Sequence, residues 1–390
     1  MSGTPSIFEL ATSLFTAARV VVQKTLPQAF GAQAAQLEKG GRATSTCKRG
    51  RFGHHARRAL MASALMGIAA LQPATGQTFA IHDLGTLPGG NDSYATAIND
   101  RGQVVGQASI APPGGPDPHV FLFEHGVMTD FITLRGVEAN GINERGQVVG
   151  SANPATHPGR FAYLYQDGAV TDLGTLPGYT DSEALGINSN GQVVGFLSHG
   201  RGRHQFRSAF LYRNGVMTDL GALLNPDQIS VATAINNRGQ VVGYLGNSAL
   251  GLEHAFLFDN GVTTDLGTLP GGRTSDASAI NNRGDVVGTA STATGTHAFL
   301  YKDGVMTDLG TLGGSISEAT GINSRGEVVG VSTTATGDWH AFFYRDGVMT
   351  DLGTLPGHIG SFAAGINERG EVAGSSYGVG AGQRAVLWTR

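Results

Sequence analysis

Short runs of alternating apolar and polar residues, separated by turns, fill the chain from residue 79 to residue 390. β-Branched and aromatic residues dominate these runs, which is typical of short strands. Two kinds of turn separate them: an Asn-x-x-Gly turn such as Asn281–Gly284, and an Asp-Gly or Asn-Gly pair such as Asp303–Gly304. The first suits a type I turn and the second a tight hairpin. Because no stretch after residue 79 has a convincing helical period, the pattern predicts an all-β protein.

One unit of this pattern recurs seven times at spacings of 42 to 48 residues. Its marker is Ile-Asn followed by Gly-x-Val, and the asparagines are Asn99, Asn143, Asn188, Asn236, Asn281, Asn323 and Asn367. An Ala-Phe-Leu-Tyr-like run and a Val-Met-Thr-Asp-Leu-Gly-like run accompany the marker. Each unit is therefore predicted to contain four strands. Units of about 40–45 residues with four strands are typical of β-propeller blades.

The order of the strands predicts how the array closes. The first copy begins with a lone fourth strand, Phe79–Gly85, and the last copy ends with a third strand, Ala385–Trp388. Pairing these two strands completes one blade and removes two exposed edges. We therefore predict a seven-bladed β-propeller over residues 79–390, closed by its N- and C-terminal strands, with an open β-array or another β-fold as the alternative. The strand that ends in Ile-Asn is predicted to be innermost, because its small residues suit a crowded axis.

Charge and hydropathy set the first part of the chain apart. Residues 1–78 contain nine basic and two acidic residues. Within residues 48–76, basic residues precede an uncharged run, Ala59–Leu71, and then Ala74 and Gly76 at a spacing that signal peptidase prefers. This order predicts a signal peptide, and the apolar run is too short for a stable membrane span in the mature chain. Residues 1–47 are interpreted as a leader extension outside the fold, and the protein is expected to be secreted or periplasmic, or associated with the cell surface.

Composition excludes several classes of protein. Only 14% of the 390 residues are charged, which argues against a disordered chain. Glycine accounts for 60 residues but follows no G-X-Y period, which argues against a collagen-like chain. The single cysteine, Cys47, excludes an internal disulfide framework. Residues 79–390 contain 17 basic and 28 acidic residues, so nucleic-acid binding is not expected.

Three copies of the unit carry His-Ala-Phe, at 254–256, 297–299 and 340–342. Together with Thr-Asp-Leu-Gly-Thr-Leu and Gly-Ile-Asn-x-x-Gly-x-Val-Val-Gly, this unit resembles the HAF family of probable extracellular bacterial repeat proteins. The resemblance covers residues 79–390 and implies a secreted or surface-located repeat protein. It implies no activity, ligand or catalytic residue.

Four acids share one position on the predicted inner strand, immediately before its repeated alanine: Glu138, Glu183, Asp276 and Glu318. If they face a channel mouth, their negative potential could hold a cation such as Ca²⁺. The simpler interpretation is a rim of solvated acids. No cofactor and no resident metal are predicted beyond this Ca²⁺ option.

A second candidate is the segment His199–Arg207, a basic island in an acidic body, which contains Arg201, Arg203, His204 and Arg207. It is suited to an anionic glycan, and the alternative is a solvated insertion.

Residues that recur in most copies are expected to hold the repeats together, because a catalytic constellation is asymmetric. The Asp of Thr-Asp-Leu-Gly, such as Asp308, is expected to be a buried acceptor of hydrogen bonds. His119, His254, His297 and His340 lie in separate copies and are expected to be structural. The seven asparagines could offer carbonyl ligands to a metal, but turn formation is their simpler role.

The sequence thus predicts a secreted, monomeric, non-catalytic binding or interaction module of unknown ligand, with an extracellular polysaccharide or a surface protein as partner. The alternatives are a metal-centred propeller hydrolase or lyase and a structural protein of the cell surface or matrix.

Overall fold

The computed structural model describes residues 78–110, 119–132, 136–153, 159–199, 206–224, 229–247 and 252–390. These residues form β-strands joined by short turns, together with a single helical turn, α1, at Gly221–Leu224. The prediction of an all-β chain is therefore confirmed, with α1 as the local exception. No helix in the described part of the chain is long and apolar enough to cross a membrane. The predicted leader and signal peptide lie outside the described residues.

The strands are numbered in chain order. The first half contains β1 (Ala80–Gly85), β2 (Ser93–Ile98), β3 (Val104–Ala108), β4 (His119–Glu124), β5 (Val127–Ile132), β6 (Val137–Ile142), β7 (Val148–Ala152), β8 (Phe161–Gln166), β9 (Ala169–Asp172), β10 (Asp181–Ile187), β11 (Val193–His199), β12 (Phe206–Arg213) and β13 (Val216–Asp219). The second half contains β14 (Ile229–Ile235), β15 (Val241–Asn247), β16 (Leu252–Asp259), β17 (Val262–Asp265), β18 (Ser275–Ile280), β19 (Val286–Ser291), β20 (Thr296–Lys302), β21 (Val305–Asp308), β22 (Gly313–Ile322), β23 (Val328–Thr334), β24 (Trp339–Arg345), β25 (Val348–Asp351), β26 (Gly360–Ile366), β27 (Val372–Gly378) and β28 (Gly382–Thr389).

These strands form antiparallel sheets in which sequence neighbours pair. Five sheets have four strands each, and a sixth joins β18–β21 to β22–β25 through one parallel residue pair, Thr296 with Ile316. In the sheet β1-β28-β27-β26, the first described strand pairs with the last, from Ala80 opposite Thr389 to Gly85 opposite Ala385. The four-stranded unit and the pairing of these two strands agree with the sequence prediction.

The hairpin turns between the third and fourth strands have the predicted backbone. Asp303 has φ of 51° and Gly304 has φ of 82°, and the other Asp-Gly and Asn-Gly pairs have similar values. Two successive positive φ angles define the type I′ turn, which matches the twist of the flanking strands. His125–Gly126 forms the same turn in the copy that lacks Asp or Asn.

The asparagine that begins each turn between the first and second strands is buried and uses its whole amide group. In the fifth copy, Asn281 Oδ1 accepts from the backbone N–H groups of Arg283 (2.9 Å) and Asp285 (3.0 Å). Its Nδ2 donates to Asp285 Oδ2 (2.9 Å) and to the backbone oxygen of Asn323 (3.1 Å). The turn and the contact with the next sheet therefore depend on one side chain.

The same contact joins every pair of successive copies. Each asparagine donates from Nδ2 to the backbone oxygen of the equivalent asparagine in the following copy, at 2.9 to 3.2 Å. The last asparagine, Asn367, donates to the backbone oxygen of the first, Asn99, at 3.1 Å.

The hydrophobic core lies between neighbouring sheets. One cluster combines Ala298 of β20 and Leu309, which follows β21, with Ile322 and Phe342 of the next copy. Buried serines also join neighbouring copies: between the sixth and seventh, Ser361 Oγ accepts from the backbone N–H of Ala341 (2.9 Å) and donates to the oxygen of Gly353 (2.7 Å).

The glycine at the third position of each second strand lies against the backbone of the inner strand. At Gly374, a Cβ would overlap the backbone oxygen of Phe362 and would lie 2.9 Å from Trp388 Cζ3. The ladder register shifts between Ala363 and Gly365, directly beside this close approach. Only glycine fits there without displacing the inner strand.

We predict that Gly374→Ala lowers the free energy of unfolding by about 2 kcal/mol or more, because the added methyl group overlaps backbone that cannot move without breaking the sheet. Gly365→Ala is the matched control in the same sheet, since its Cβ would meet only Ile98 Cγ2, at 3.7 Å. Chemical denaturation measures both. A control that loses as much stability as Gly374→Ala would contradict the explanation.

Candidate functional site

The inner strands place one variable residue of each copy at a common position, immediately before the repeated alanine. We call this the inner-strand position; its residues are Tyr94, Glu138, Glu183, Val231, Asp276, Glu318 and Phe362. The four predicted acids therefore occupy equivalent positions, as expected. The expected solvated rim is wrong for two of them, because Glu183 is only 5% exposed and Asp276 only 7%.

The residue two positions before the alanine of each third strand also varies. We call this the third-strand position; in the described copies it is Arg160, Arg207, Glu253, Thr296, Trp339 and Gln383. The residues around it recur from copy to copy, whereas the side chain at this position is basic, acidic, a hydroxyl, an indole or an amide, depending on the copy. Apart from Arg207, the sequence candidates did not include this position, and this contrast was the available signal.

Arg160 joins two of the predicted acids across the boundary between copies. Its Nη1 lies 3.0 Å from Glu138 Oε2 and 3.1 Å from Glu183 Oε2. Burial raises the pKa of Glu183, and the Arg160 guanidinium opposes that effect. This half of the acidic group is therefore an arginine-bridged pair.

Arg207 brings the second sequence candidate to the same place. Its guanidinium lies over the Phe196 ring, 4.8 Å from the centroid, and Nη1 is 3.5 Å from the hydroxyl oxygen of Tyr244. Its charge acts on Glu183 and favours the ionised form of that acid. The structure thus joins two candidates that the sequence treated separately, while Arg201, Arg203 and His204 lie outside the described residues.

Asp276 and Glu318 form the other half of the acidic group. Asp276 Oδ1 is buried and has no hydrogen-bond partner. Burial raises the pKa of Asp276 well above its ordinary value, and the charges of Glu253 and Glu318 raise it further. Burial also raises the pKa of Glu318, to about 7. Burial raises the pKa of an acid in both halves, but only in the arginine-bridged pair does a guanidinium contact the two carboxylates and oppose that effect.

Each of the four repeated histidines pairs with the aspartate of its own copy. Nδ1 of His340 lies 2.7 Å from Asp351 Oδ2, and His119, His254 and His297 pair in the same way with Asp130, Asp265 and Asp308. The aspartate also accepts a backbone N–H, as in Gly353 to Asp351 Oδ1 at 2.7 Å. The acceptor role agrees with the prediction, but these aspartates lie at the surface rather than buried; the side chain of Asp265 is 62% exposed.

Metal ligation has little support in the described residues. No group of three or more His, Cys, Asp or Glu side chains within them is arranged to hold a metal ion. The asparagine oxygens are occupied by the turns, as shown for Asn281.

Part of the chain matches one sequence-family model, and the chain is similar in structure to several solved proteins. Residues 177–312 match the family described as "Protein of unknown function (DUF3466)". No curated protein matches the chain.

Three solved structures show the range of structural similarity. The puromycin-hydrolyzing peptidase of Mycobacterium tuberculosis has a TM-score of 0.51 at 12% identity, over 73% of this chain and 49% of that one. A puromycin hydrolase has a TM-score of 0.50 at 11% identity, over 73% and 50%. The β-propeller domain of the trilobed protease from Pyrococcus furiosus has a TM-score of 0.49 at 10% identity, over 68% and 84%.

At such low identity the similarity concerns the fold alone, and the chain spans about half the length of the two puromycin-cleaving enzymes. With its four-stranded antiparallel sheets, the described part of the chain has an all-β, β-propeller-like fold.

The raised pKa of Glu318 predicts a pH-dependent stability. A carboxyl group whose pKa is raised on folding holds its proton in the folded state and loses it in the unfolded state between pH 4.5 and about 7. Stability therefore falls as the pH rises through this range. The change from 4.5 to about 7 corresponds to about 3 kcal/mol.

We expect Glu318→Gln to be more stable than the parent at pH 8 and nearly equal to it at pH 4, as measured by chemical denaturation. Asp303→Asn, a change at an exposed turn where other copies carry asparagine, is the control and should show no such dependence. A constant difference between Glu318→Gln and the parent across the range would refute the explanation.

Proposed function

We propose that this chain is a secreted, non-catalytic, closed seven-bladed β-propeller that binds its ligand at the end of the sheets where the inner strands begin. In this proposal the sheets close into a ring, and the end of the sheets where the inner strands begin is the binding surface. The partners that fit are an extracellular polysaccharide or a surface protein.

The hydrogen bonds between copies support a closed ring of seven. The asparagine contacts run through all seven copies and return from Asn367 to Asn99. Two further contacts link the first and last parts of the described chain: β1 pairs with β28, and the backbone N–H of Ala385 donates to Ser93 Oγ at 2.9 Å. The pairing of β1 with β28 is the one that a closing blade needs. The bond from Ala385 to Ser93 is equivalent to the one from Ala341 to Ser361 between successive copies.

Hydrogen exchange tests this closure. If β1 completes a blade, its amides should be protected to about the same degree as those of β21, which is the outer strand of an internal sheet. Exchange of residues 80–85 at the rate of an unfolded peptide, with β21 still protected, would disprove the closed ring. Peptide-resolved mass spectrometry gives both rates in one experiment.

The observation that carries the binding role is the variation at the inner-strand and third-strand positions. The asparagine, glycine and serine positions that hold the sheets together recur, and they leave little room for change. The residues at the two variable positions differ in charge and shape from copy to copy, and they gather at one end of the sheets. A rigid framework that presents varied side chains is typical of a binding surface.

The proposed location rests on the sequence alone. The predicted signal peptide at residues 48–76 and the resemblance to the HAF family of extracellular repeat proteins both support export.

The distribution of the His-Asp pairs supports a framework role for them, because four copies carry the same exposed pair.

A ligand screen on residues 77–390 tests the binding role. The screen includes acidic and neutral polysaccharides, Ca²⁺ and Mn²⁺, and reads the melting temperature, which a ligand of the folded state raises. We expect a ligand whose effect is lost in Trp339→Ala, at the third-strand position, and retained in Lys302→Ala, at the other end of the same kind of strand. A ligand that responds equally to both variants would place binding elsewhere.

A further inference from the structure

The bridge made by Arg160 shows what fits between two acids of this group. Glu138 and Glu183 occupy the inner-strand position of successive copies, and Arg160 is the third-strand residue of the copy that contains Glu138. One guanidinium nitrogen contacts both carboxylates, at 3.0 and 3.1 Å. The space between two such acids is therefore large enough for a guanidinium group.

Asp276 and Glu318 repeat this arrangement without the arginine. They also occupy the inner-strand position of successive copies, and the third-strand residue of the copy that contains Asp276 is Thr296. The register supports the equivalence: Ala298, two residues after Thr296, lies opposite Thr289, which lies opposite Asp276. In the bridged copy, Ala162 lies opposite Ser151, which lies opposite Glu138.

One oxygen of the Asp276 carboxylate is buried without a hydrogen-bond partner. Asp276 is only 7% exposed, and the oxygen without a partner is Oδ1. Its neighbours Glu253 and Glu318 are both acidic, and both charges act on it. Burying a charge is costly unless a counter-ion or hydrogen-bond donors compensate, and a threonine hydroxyl supplies no positive charge.

We propose that Asp276 and Glu318 bind the guanidinium group of a ligand in the place that Arg160 fills between Glu138 and Glu183. This inference rests on the proposed binding role of this end of the sheets. It narrows the ligand to one that presents an arginine-like group, as a surface protein does.

The chemistry of the pair favours a guanidinium over other cations. A guanidinium has five donors in one plane and can contact two carboxylates at once, whereas an ammonium is a compact, strongly hydrated charge. Ca²⁺ takes six to eight oxygen ligands. The described residues contain no group of three or more metal-binding side chains in a suitable arrangement.

A titration with two matched probes tests the site. The probes are N-acetylarginine methylamide and N-acetylcitrulline methylamide, which have nearly the same shape and differ in charge. We expect the arginine probe alone to raise the melting temperature of the parent, and its affinity to fall about tenfold or more in Asp276→Asn and Glu318→Gln, since each removes one charged partner. Equal effects of the two probes, or parental affinity in both variants, would overturn the proposal.

Ca²⁺ provides a second arm of the same titration. If Ca²⁺ stabilises the parent and displaces the arginine probe at millimolar concentration, the pair is a divalent-cation site and the proposal is wrong. If the arginine probe binds equally well with and without Ca²⁺, the proposal is supported.

Filling the site from within is an independent test. Thr296→Arg should place a guanidinium between Asp276 and Glu318, raise the melting temperature without any ligand, and reduce the affinity for the arginine probe about tenfold or more. Gln383→Arg is the matched control at the third-strand position of another copy, where Phe362 and Tyr94 replace the acids. It should keep the parental affinity. The titration of Glu318→Gln decides the proposal even if Thr296→Arg fails to fold.

The outcomes separate this inference from the binding role on which it rests. If a polysaccharide binds in a Trp339-dependent manner while the arginine probe has no effect, the binding role stands and the guanidinium site is wrong. If the arginine probe binds and depends on Glu318, both stand.

Discussion

The buried asparagine at the first turn of each copy is the interaction on which the rest of the structure depends. Asn281 is 4% exposed, and its amide group accepts two hydrogen bonds within the turn and donates one inside the copy and one to the next copy. Aspartate could not donate, and serine or alanine would leave buried backbone groups without partners. A single side chain therefore fixes both the turn geometry and the position of the neighbouring sheet, so the sheets cannot be arranged independently of their turns.

The glycine and alanine positions follow from this close arrangement. The inner strand bulges directly after its repeated alanine, as at Ala363, and its backbone approaches Gly374 of the second strand. Large residues such as Phe299 and Phe342 are fully buried in the core between copies. The high glycine content is thus a consequence of strand packing as well as of turns.

Most of the fold could be predicted from the sequence because it depends on local chemistry that recurs. Asp303–Gly304 selects a hairpin turn by its backbone preferences, and Asn281 marks the inner strand of its copy, whatever the remaining residues are. The serine contact between copies, as at Ser361, was not predicted, although a serine recurs immediately before the inner-strand position in six copies. The recurrence alone does not show that this hydroxyl bonds to the backbone of another copy.

The site was only half predictable, for a different reason. The sequence identified the acids at the inner-strand position, since register alone aligns them. It could not show that Arg160 reaches two of them, because that contact crosses from one copy to the next and depends on the direction of a long side chain. For the same reason it separated Arg207 from Glu183, and it expected Glu183 and Asp276 to be solvated although the sheets bury both.

The energetics of the inner-strand position argue that its acids serve something other than the framework. Val231 and Phe362 occupy the same position in other copies, so an apolar residue is compatible with the fold there. Where Glu138 and Glu183 are acidic, Arg160 offsets the cost within the chain. Asp276 and Glu318 have no such offset, and their raised pKa values express a loss of stability at neutral pH. A cation from outside the chain would remove that loss on binding. The free energy lost by burying these two acids without a cation would then contribute to the affinity for a cationic ligand.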